Sequence, residues 1–342
     1  MEKTRNDSSS PGRAEQHSLK GKKAKTEDAI VGAPGPYNHI QALIATLRPR
    51  QWTKNLALFI GLIFAQRLFD IPSLARAMLA FVTFCLASSS IYLLNDLLDL
   101  EQDRQHPTKR HRPLAAGRLP ISWAIGAMGG LLLLCTGLTL LLFTFPTYHD
   151  IYTPLGGANV LFTLTVASYL LLMVFYNTHW KHVVIVDVFV IATGFVLRIL
   201  AGALVIPVAI SPWLYLVTCF LSLFLALSKR RHELVLLQGR ASDHRQILKE
   251  YTIPLLDQMI TIMVTATLMA YSLYTFEGLT GNQRLIVTIP FVLFGMFRYL
   301  YLVYIRMEGG SPEEVLLRDR YMLGTVVLCT ILIIAVLYLL PQ

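Results

Sequence analysis

Charge is scarce in this chain. Only 15% of its 342 residues are Asp, Glu, Lys or Arg, against about 25% in a soluble globular protein. Cysteine is scarce too. Cys85, Cys135, Cys219 and Cys329 all lie inside apolar runs, none with metal-ligand spacing, so they read as small buried fillers. Polar–apolar alternation is missing, because the runs are continuous Leu, Ile, Val and Phe; this argues against a membrane sheet. The net charge is +9, and basic residues recur in the loops between the runs. No nucleic-acid partner is therefore expected, and anionic lipid or a phosphorylated substrate fits better.

Long apolar runs are what the chain does have. They fall at about 53–68, 73–95, 119–144, 158–177, 183–206, 212–228, 254–275, 286–305 and 321–340, each near the length that crosses a bilayer. The fold class expected is an all-α polytopic membrane protein, with residues 37–342 forming a nine-transmembrane-helix domain. Residues 1–36 carry almost no large apolar side chain and read as a disordered tail. Among the loops between runs, those at 96–118, 178–182, 229–250 and 306–320 hold most of the Lys and Arg, whereas 145–157 and 207–212 have none. The positive-inside rule then places the N-terminus and the four basic loops in the cytoplasm, and the C-terminus outside.

One polar stretch stands out at the end of the second run, Asn95 to Asp103, NDLLDLEQD. On a helix, Asn95, Asp96, Asp99 and Asp103 share a face about 100° wide, while Glu101 points away. Carboxylates at a helix C-terminus oppose the macrodipole and need neutralising. Four oxygen ligands there suit Mg²⁺ carrying a diphosphate. Lys109 and Arg112, in HPTKRHR, follow at once as candidates to meet a polyanion; His106 and His111 match Mg²⁺ poorly. Upstream, Arg48, Arg50 and Lys54 flank Trp52, as interface anchors or a phosphate-binding wall.

The fifth run is interrupted by Asp187 and Arg198. These lie about 16 Å apart along a straight helix, so each needs another partner, a substrate or a neighbouring helix. Tyr176 and Lys181 precede them at the same membrane face, and Lys229 and Arg230 end the sixth run within SKRRHE. The tyrosines near span ends read as an aromatic belt.

NDLLDLEQD has the NDxxDxxxD form. With the nine-span hydropathy and YNTHWKHVVIVD, it resembles the UbiA superfamily of intramembrane prenyltransferases over about residues 40–340. Within it, LRPRQWTKN, NDLLDLEQDRQHPTKRHRPLAAG, KHVVIVDVFVIATGFVLRILAGA, SKRRHEL and PEEVLLRDR resemble the decaprenyl-phosphate phosphoribosyltransferase branch. The usual second motif of DxxxD type is incomplete: Ile191 stands four residues after Asp187. The resemblance implies a bundle around a central cavity open to the cytoplasmic side, in a bacterial plasma membrane. It implies Mg²⁺-dependent transfer of 5-phosphoribose from 5-phosphoribosyl 1-diphosphate to a polyprenyl phosphate, in cell-wall arabinan precursor synthesis. Asp96, Asp99, Asp103 and Asp187 would be catalytic, with Asn95 joining the first three on the metal. Asn95, Lys54, Lys109, Arg112, Tyr176, Lys181, Arg198, Lys229 and Arg230 would bind substrate. The alternatives are a UbiA-type prenyltransferase that cleaves a polyprenyl diphosphate, a transporter or scaffold, and a polyprenyl-phosphate phosphatase. No assembly state follows from the sequence.

Overall fold

The computed structural model describes residues 39–339, apart from 107, 146, 148, 149, 210, 238–249, 278–282 and 311. The expected tail at 1–36 lies outside the described residues. Among the described residues twelve α-helices follow in order: α1 (His39–Leu47), α2 (Phe59–Phe64), α3 (Ile71–Leu98), α4 (Leu100–Gln105), α5 (Ile121–Leu141), α6 (Ala158–Thr178), α7 (Val186–Val205), α8 (Pro212–Leu237), α9 (Ile253–Glu277), α10 (Ile289–Tyr304), α11 (Pro312–Arg318) and α12 (Arg320–Tyr338). Among the described residues, eight helices are long and apolar enough to cross a membrane: α3, α5 to α10 and α12. The chain is thus an all-α, multi-pass membrane protein.

The first expected span, at 53–68, is not one continuous helix. Arg48 takes a left-handed φ of 55°, which ends α1. Pro49 then starts a 3₁₀ segment, Pro49–Leu58, that leads into α2; proline fits a first helical turn because its missing N–H needs no partner there. This segment lies very close to α7. A Cβ added at Gly202 would overlap the Leu58 carbonyl, and one at Gly61 would stand 3.2 Å from the Ala203 nitrogen. Small residues let the two backbones meet, as is common between membrane helices.

Local signals set the other boundaries. Asp70 caps α3 by accepting from the Ser73 N–H at 3.1 Å, and Asp319 caps α12 by accepting from Met322 at 2.8 Å. Both are carboxylates at helix N-termini, where dipole and free N–H groups favour them. The sixth expected span runs past residue 228, because α8 continues through Lys229, Arg230 and Arg231 to Leu237.

Two apolar cores share α7. One packs Leu58, Leu62, Phe84, Phe162, Tyr169 and Leu204. The other packs Val188, Phe224, Leu256, Tyr299 and Leu302. Within their candidate spans α3 and α7 are 61% and 67% buried, more than the other six, so polar side chains on their inner faces meet protein rather than lipid. At one end α12 is tied to the α2 segment: Tyr338 Oη donates to the Ile63 carbonyl at 3.1 Å and accepts from the Leu68 N–H at 3.0 Å. Arg76 gathers the same end, donating to the carbonyls of Val205, Leu142 and Phe145 and to the side chain of Asn159. Elsewhere two of the basic stretches touch others: Lys181 reaches Asp99, and Gly309 and Gly310 lie against Ser228 and His232.

Candidate active site

The acidic face of α3 survives its boundary. The Asp99 N–H reaches the Asn95 carbonyl at 2.9 Å and the Asp103 N–H reaches the Asp99 carbonyl at 2.8 Å, so helical turns run from α3 into α4. Asp96 and Asp103 are 3% and 2% exposed, and each is met by a cation. Arg48 Nη2 donates to Asp96 at 2.5 Å. Arg112 Nη1 bridges two carboxylates, 3.1 Å from Asp96 and 2.6 Å from Asp103. Lys109 Nζ lies 3.9 Å from Asp103. Lys181 Nζ donates to Asp99 at 2.5 Å. Asn95 beside them is half-buried.

These cations are placed by built features. His106 Nδ1 accepts from the N–H groups of Thr108 and Lys109 at 3.2 and 3.3 Å, so it caps the turn that carries Lys109 instead of facing the carboxylates. Leu114 and Leu119 sink into a small core with Ala42, Leu93 and Ala124, which anchors the loop behind Arg112. Arg48 stacks over Tyr92, 4.9 Å from the ring centroid.

A second network lies beside the first. Asp187 is 0% exposed. It accepts from Arg230 Nε at 2.6 Å and from Tyr251 Oη at 3.0 Å. Arg230 also donates to Glu233 at 2.6 Å and to Tyr176 at 3.4 Å, and it is itself 2% exposed. Burial pushes the Tyr251 phenol up to about 12, with the Asp187 charge adding to it, so it stays protonated and donates to Asp187. Next to this, Arg231 donates to Asp257 at 2.6 Å beneath Tyr304.

Arg198 occupies a third position, deeper along α7. It donates to Asn55 at 2.7 Å, to the Gly194 carbonyl at 2.7 Å and to Tyr169 at 2.9 Å. Asn55 contacts Ser88, and Trp52 donates to Ser89 at 3.0 Å. A polar seam therefore runs from Asp96 and Arg48 down the groove between α3 and the 3₁₀ segment to Arg198. Lys54, on that segment, and Lys229, on α8, are half-buried.

A family model described as the UbiA prenyltransferase family matches residues 56–323. The chain belongs to the UbiA prenyltransferase family. Its similar relatives include a decaprenyl-phosphate phosphoribosyltransferase of Corynebacterium glutamicum, 33% identical over 314 residues, covering 90% of each chain. Another of that name, from Mycolicibacterium smegmatis, is 34% identical over 313 residues, covering 86% of this chain and 92% of that one. Among solved structures, a UbiA homolog from Archaeoglobus fulgidus bound to DMAPP and Mg²⁺ aligns with a TM-score of 0.62 at 17% identity, over 87% of this chain and 99% of that one. The resemblance read from NDLLDLEQD is borne out at the level of family and of named relatives.

Within this UbiA-family chain the donor set at the acidic face fits a hard divalent cation. Asp96 and Asp103 lie close enough to share one guanidinium nitrogen, and carboxylate oxygens are the ligands Mg²⁺ prefers. Among the described residues no three His, Cys, Asp or Glu side chains converge in the present arrangement, in which Arg48, Arg112 and Lys181 pair with the carboxylates. Three residues of these polar networks, Asn55, Tyr169 and Tyr251, were not among the candidates expected from the sequence, and Arg48, expected as an interface anchor or phosphate-binding wall, is a partner of Asp96. Asn55 had a signal, an amide opening an apolar run. Tyr251 had none, because its partner Asp187 is 64 residues away.

Proposed function

We propose that this UbiA-family chain transfers 5-phosphoribose from 5-phosphoribosyl 1-diphosphate to a polyprenyl phosphate and releases diphosphate. The observation that carries the reading is the interleaving of Asp96, Asp99 and Asp103 with Arg48, Lys109, Arg112 and Lys181 at one end of the bundle. Carboxylates for a metal and cations for phosphate oxygens are the two halves of a diphosphate site. The names of the relatives at 33% and 34% identity support phosphoribosyl transfer to a polyprenyl phosphate.

Asp96, Asp99 and Asp103, aided by Asn95, would hold Mg²⁺, which when bound neutralises the diphosphate and eases its departure. Arg48, Arg112 and Lys181 turn from carboxylates to phosphate oxygens as the donor enters. Lys54 and Lys229 extend the cationic rim. The bond from ribose C1 to diphosphate breaks, and one forms from C1 to an oxygen of the lipid phosphate. That oxygen is already anionic, so no strong general base is required. Asp187, Arg230 and Tyr176 brace the wall from inside, and Arg198 holds the 3₁₀ segment through Asn55.

The membrane placement follows the charges. The basic end faces the cytoplasm, where a soluble phosphorylated donor is made, in a bacterial plasma membrane. Pro49–Phe64 makes the ninth crossing: ten 3₁₀ residues and six α-helical ones rise about 29 Å, close to the ~30 Å hydrocarbon core. The central cavity that the family resemblance implies would open at the basic end and take the lipid chain from the side.

The test is product mass. Purified protein in lipid with Mg²⁺, polyprenyl phosphate and labelled 5-phosphoribosyl 1-diphosphate yields labelled polyprenyl-phosphoryl phosphoribose. Prenyl transfer from a polyprenyl diphosphate, with no phosphoribosyl product, would favour the second reading, supported by the DMAPP-bound UbiA homolog.

A further inference from the structure

Four described non-glycine residues have positive φ: Arg48, Gln66, Ile185 and Met307. Only Ile185 is β-branched, and for such a residue this conformation is strained. Its φ of 69° and ψ of −45° lie near the rarer, strained form of γ-turn. Side-chain packing does not hold it there, because Ile185 is 42% exposed. The backbone does. The Ile185 N–H donates to Tyr251 Oη at 2.7 Å, and its carbonyl accepts from Phe189 at 3.1 Å.

The same Tyr251 hydroxyl donates onward to Asp187, which Arg230 fixes from its other side. The side-chain clamp on the turn is therefore anchored in a buried ion pair. Four residues before the turn, Lys181 reaches Asp99 at 2.5 Å. We propose that Tyr251 is a positioning residue: its hydroxyl locks the strained turn at Ile185 and thereby holds Lys181 over Asp99, where the donor's diphosphate is gripped.

A phenylalanine at 251 keeps the ring and loses both hydrogen bonds. Ile185 then relaxes to negative φ, and the connection carrying Lys181 swings. Glycine at 185 reaches positive φ without a steric penalty, so it keeps the turn without the clamp. The two substitutions are therefore coupled, not additive.

The kinetic arm rests on the phosphoribosyl-transfer reading; the structural arm does not. With the full chain in lipid nanodiscs, Tyr251→Phe raises the donor KM by about tenfold, the size of one lost charge-assisted contact, and leaves the polyprenyl-phosphate KM unchanged. Adding Ile185→Gly recovers most of that loss. Equal losses for both substrates without recovery by glycine would reduce Tyr251 to a packing role and overturn the proposal, as would an unchanged donor KM. If the wild-type chain transfers no phosphoribose, amide exchange across residues 179–187 still decides. Faster exchange in Tyr251→Phe supports the clamp, and unchanged exchange overturns it.

Discussion

Arg230→Met gives the sharpest test of the inner network. Asp187 is 0% exposed, and it holds two bonds, from Arg230 at 2.6 Å and Tyr251 at 3.0 Å. The substitution removes the first and leaves a buried carboxylate with no cation. Breaking one side of a buried ion pair costs about 3–5 kcal/mol. Glu233 also loses its bond to Arg230, but its side chain is 27% exposed and stays hydrated, so it adds little. The double variant Asp187→Asn, Arg230→Met leaves no charge behind, and the Asn carbonyl still accepts from Tyr251. Replacing a buried pair by neutral groups is often close to neutral, so the double variant is more stable than Arg230→Met alone. Unfolding of purified protein in mixed micelles, by titration with a denaturing detergent, reads both free energies. The reasoning fails if Arg230→Met loses less than about 1 kcal/mol, the range of an exposed pair, or if the double variant is no better than the single one.

Three further outcomes are expected. Lys181→Met removes the cation on Asp99 and lowers kcat/KM for the donor about 10- to 100-fold, the equivalent of one charge-assisted bond, in steady-state assays with varied 5-phosphoribosyl 1-diphosphate. Arg198→Met strips buried Asn55 and Tyr169 of their donor, each at about 1–3 kcal/mol, so its unfolding free energy falls further than that of Arg198→Lys. Asp319 concerns acid. Its bond from Arg298 holds its carboxyl below the ordinary value of 3.8, so its stabilisation is fully present above 3.8 and is lost as pH falls through the lower, folded-state value. Melting between neutral and acid pH loses that acid-dependent step in Asp319→Asn, which keeps the cap on α12.

Much of the bundle was legible because hydropathy and helix length report directly on bilayer crossing. The run at 254–275 became a candidate span at Ile253–Phe276, and that at 158–177 became Ala158–Thr178. The misses have physical causes. The sixth span continued past its first charges because Arg230 and Arg231 point inward to Asp187 and Asp257; average polarity does not reveal which way a side chain faces. The first span became a 3₁₀ segment that starts at Pro49 and a short helix, and Gly202 and Gly61 let α7 pack close against them. In the site, periodicity placed Asn95, Asp96, Asp99 and Asp103 on one face, and the 16 Å rise between Asp187 and Arg198 required separate partners. Those partners, Arg230 with Tyr251 and Asn55 with Tyr169, came from other helices, and pairing across a fold leaves no local pattern. His106 carried the opposite lesson, since a residue beside the acidic cluster turned out to cap its own turn.

The central claim is that the acidic face grips the diphosphate of a soluble sugar donor through Mg²⁺. Its most direct test is labelled phosphoribose transfer to polyprenyl phosphate by purified Asp99→Ala at saturating Mg²⁺, beside the wild-type chain with and without chelator. The account predicts transfer by the wild-type chain that chelator abolishes and Mg²⁺ restores, and near-complete loss in Asp99→Ala. Wild-type rates in Asp99→Ala would contradict it.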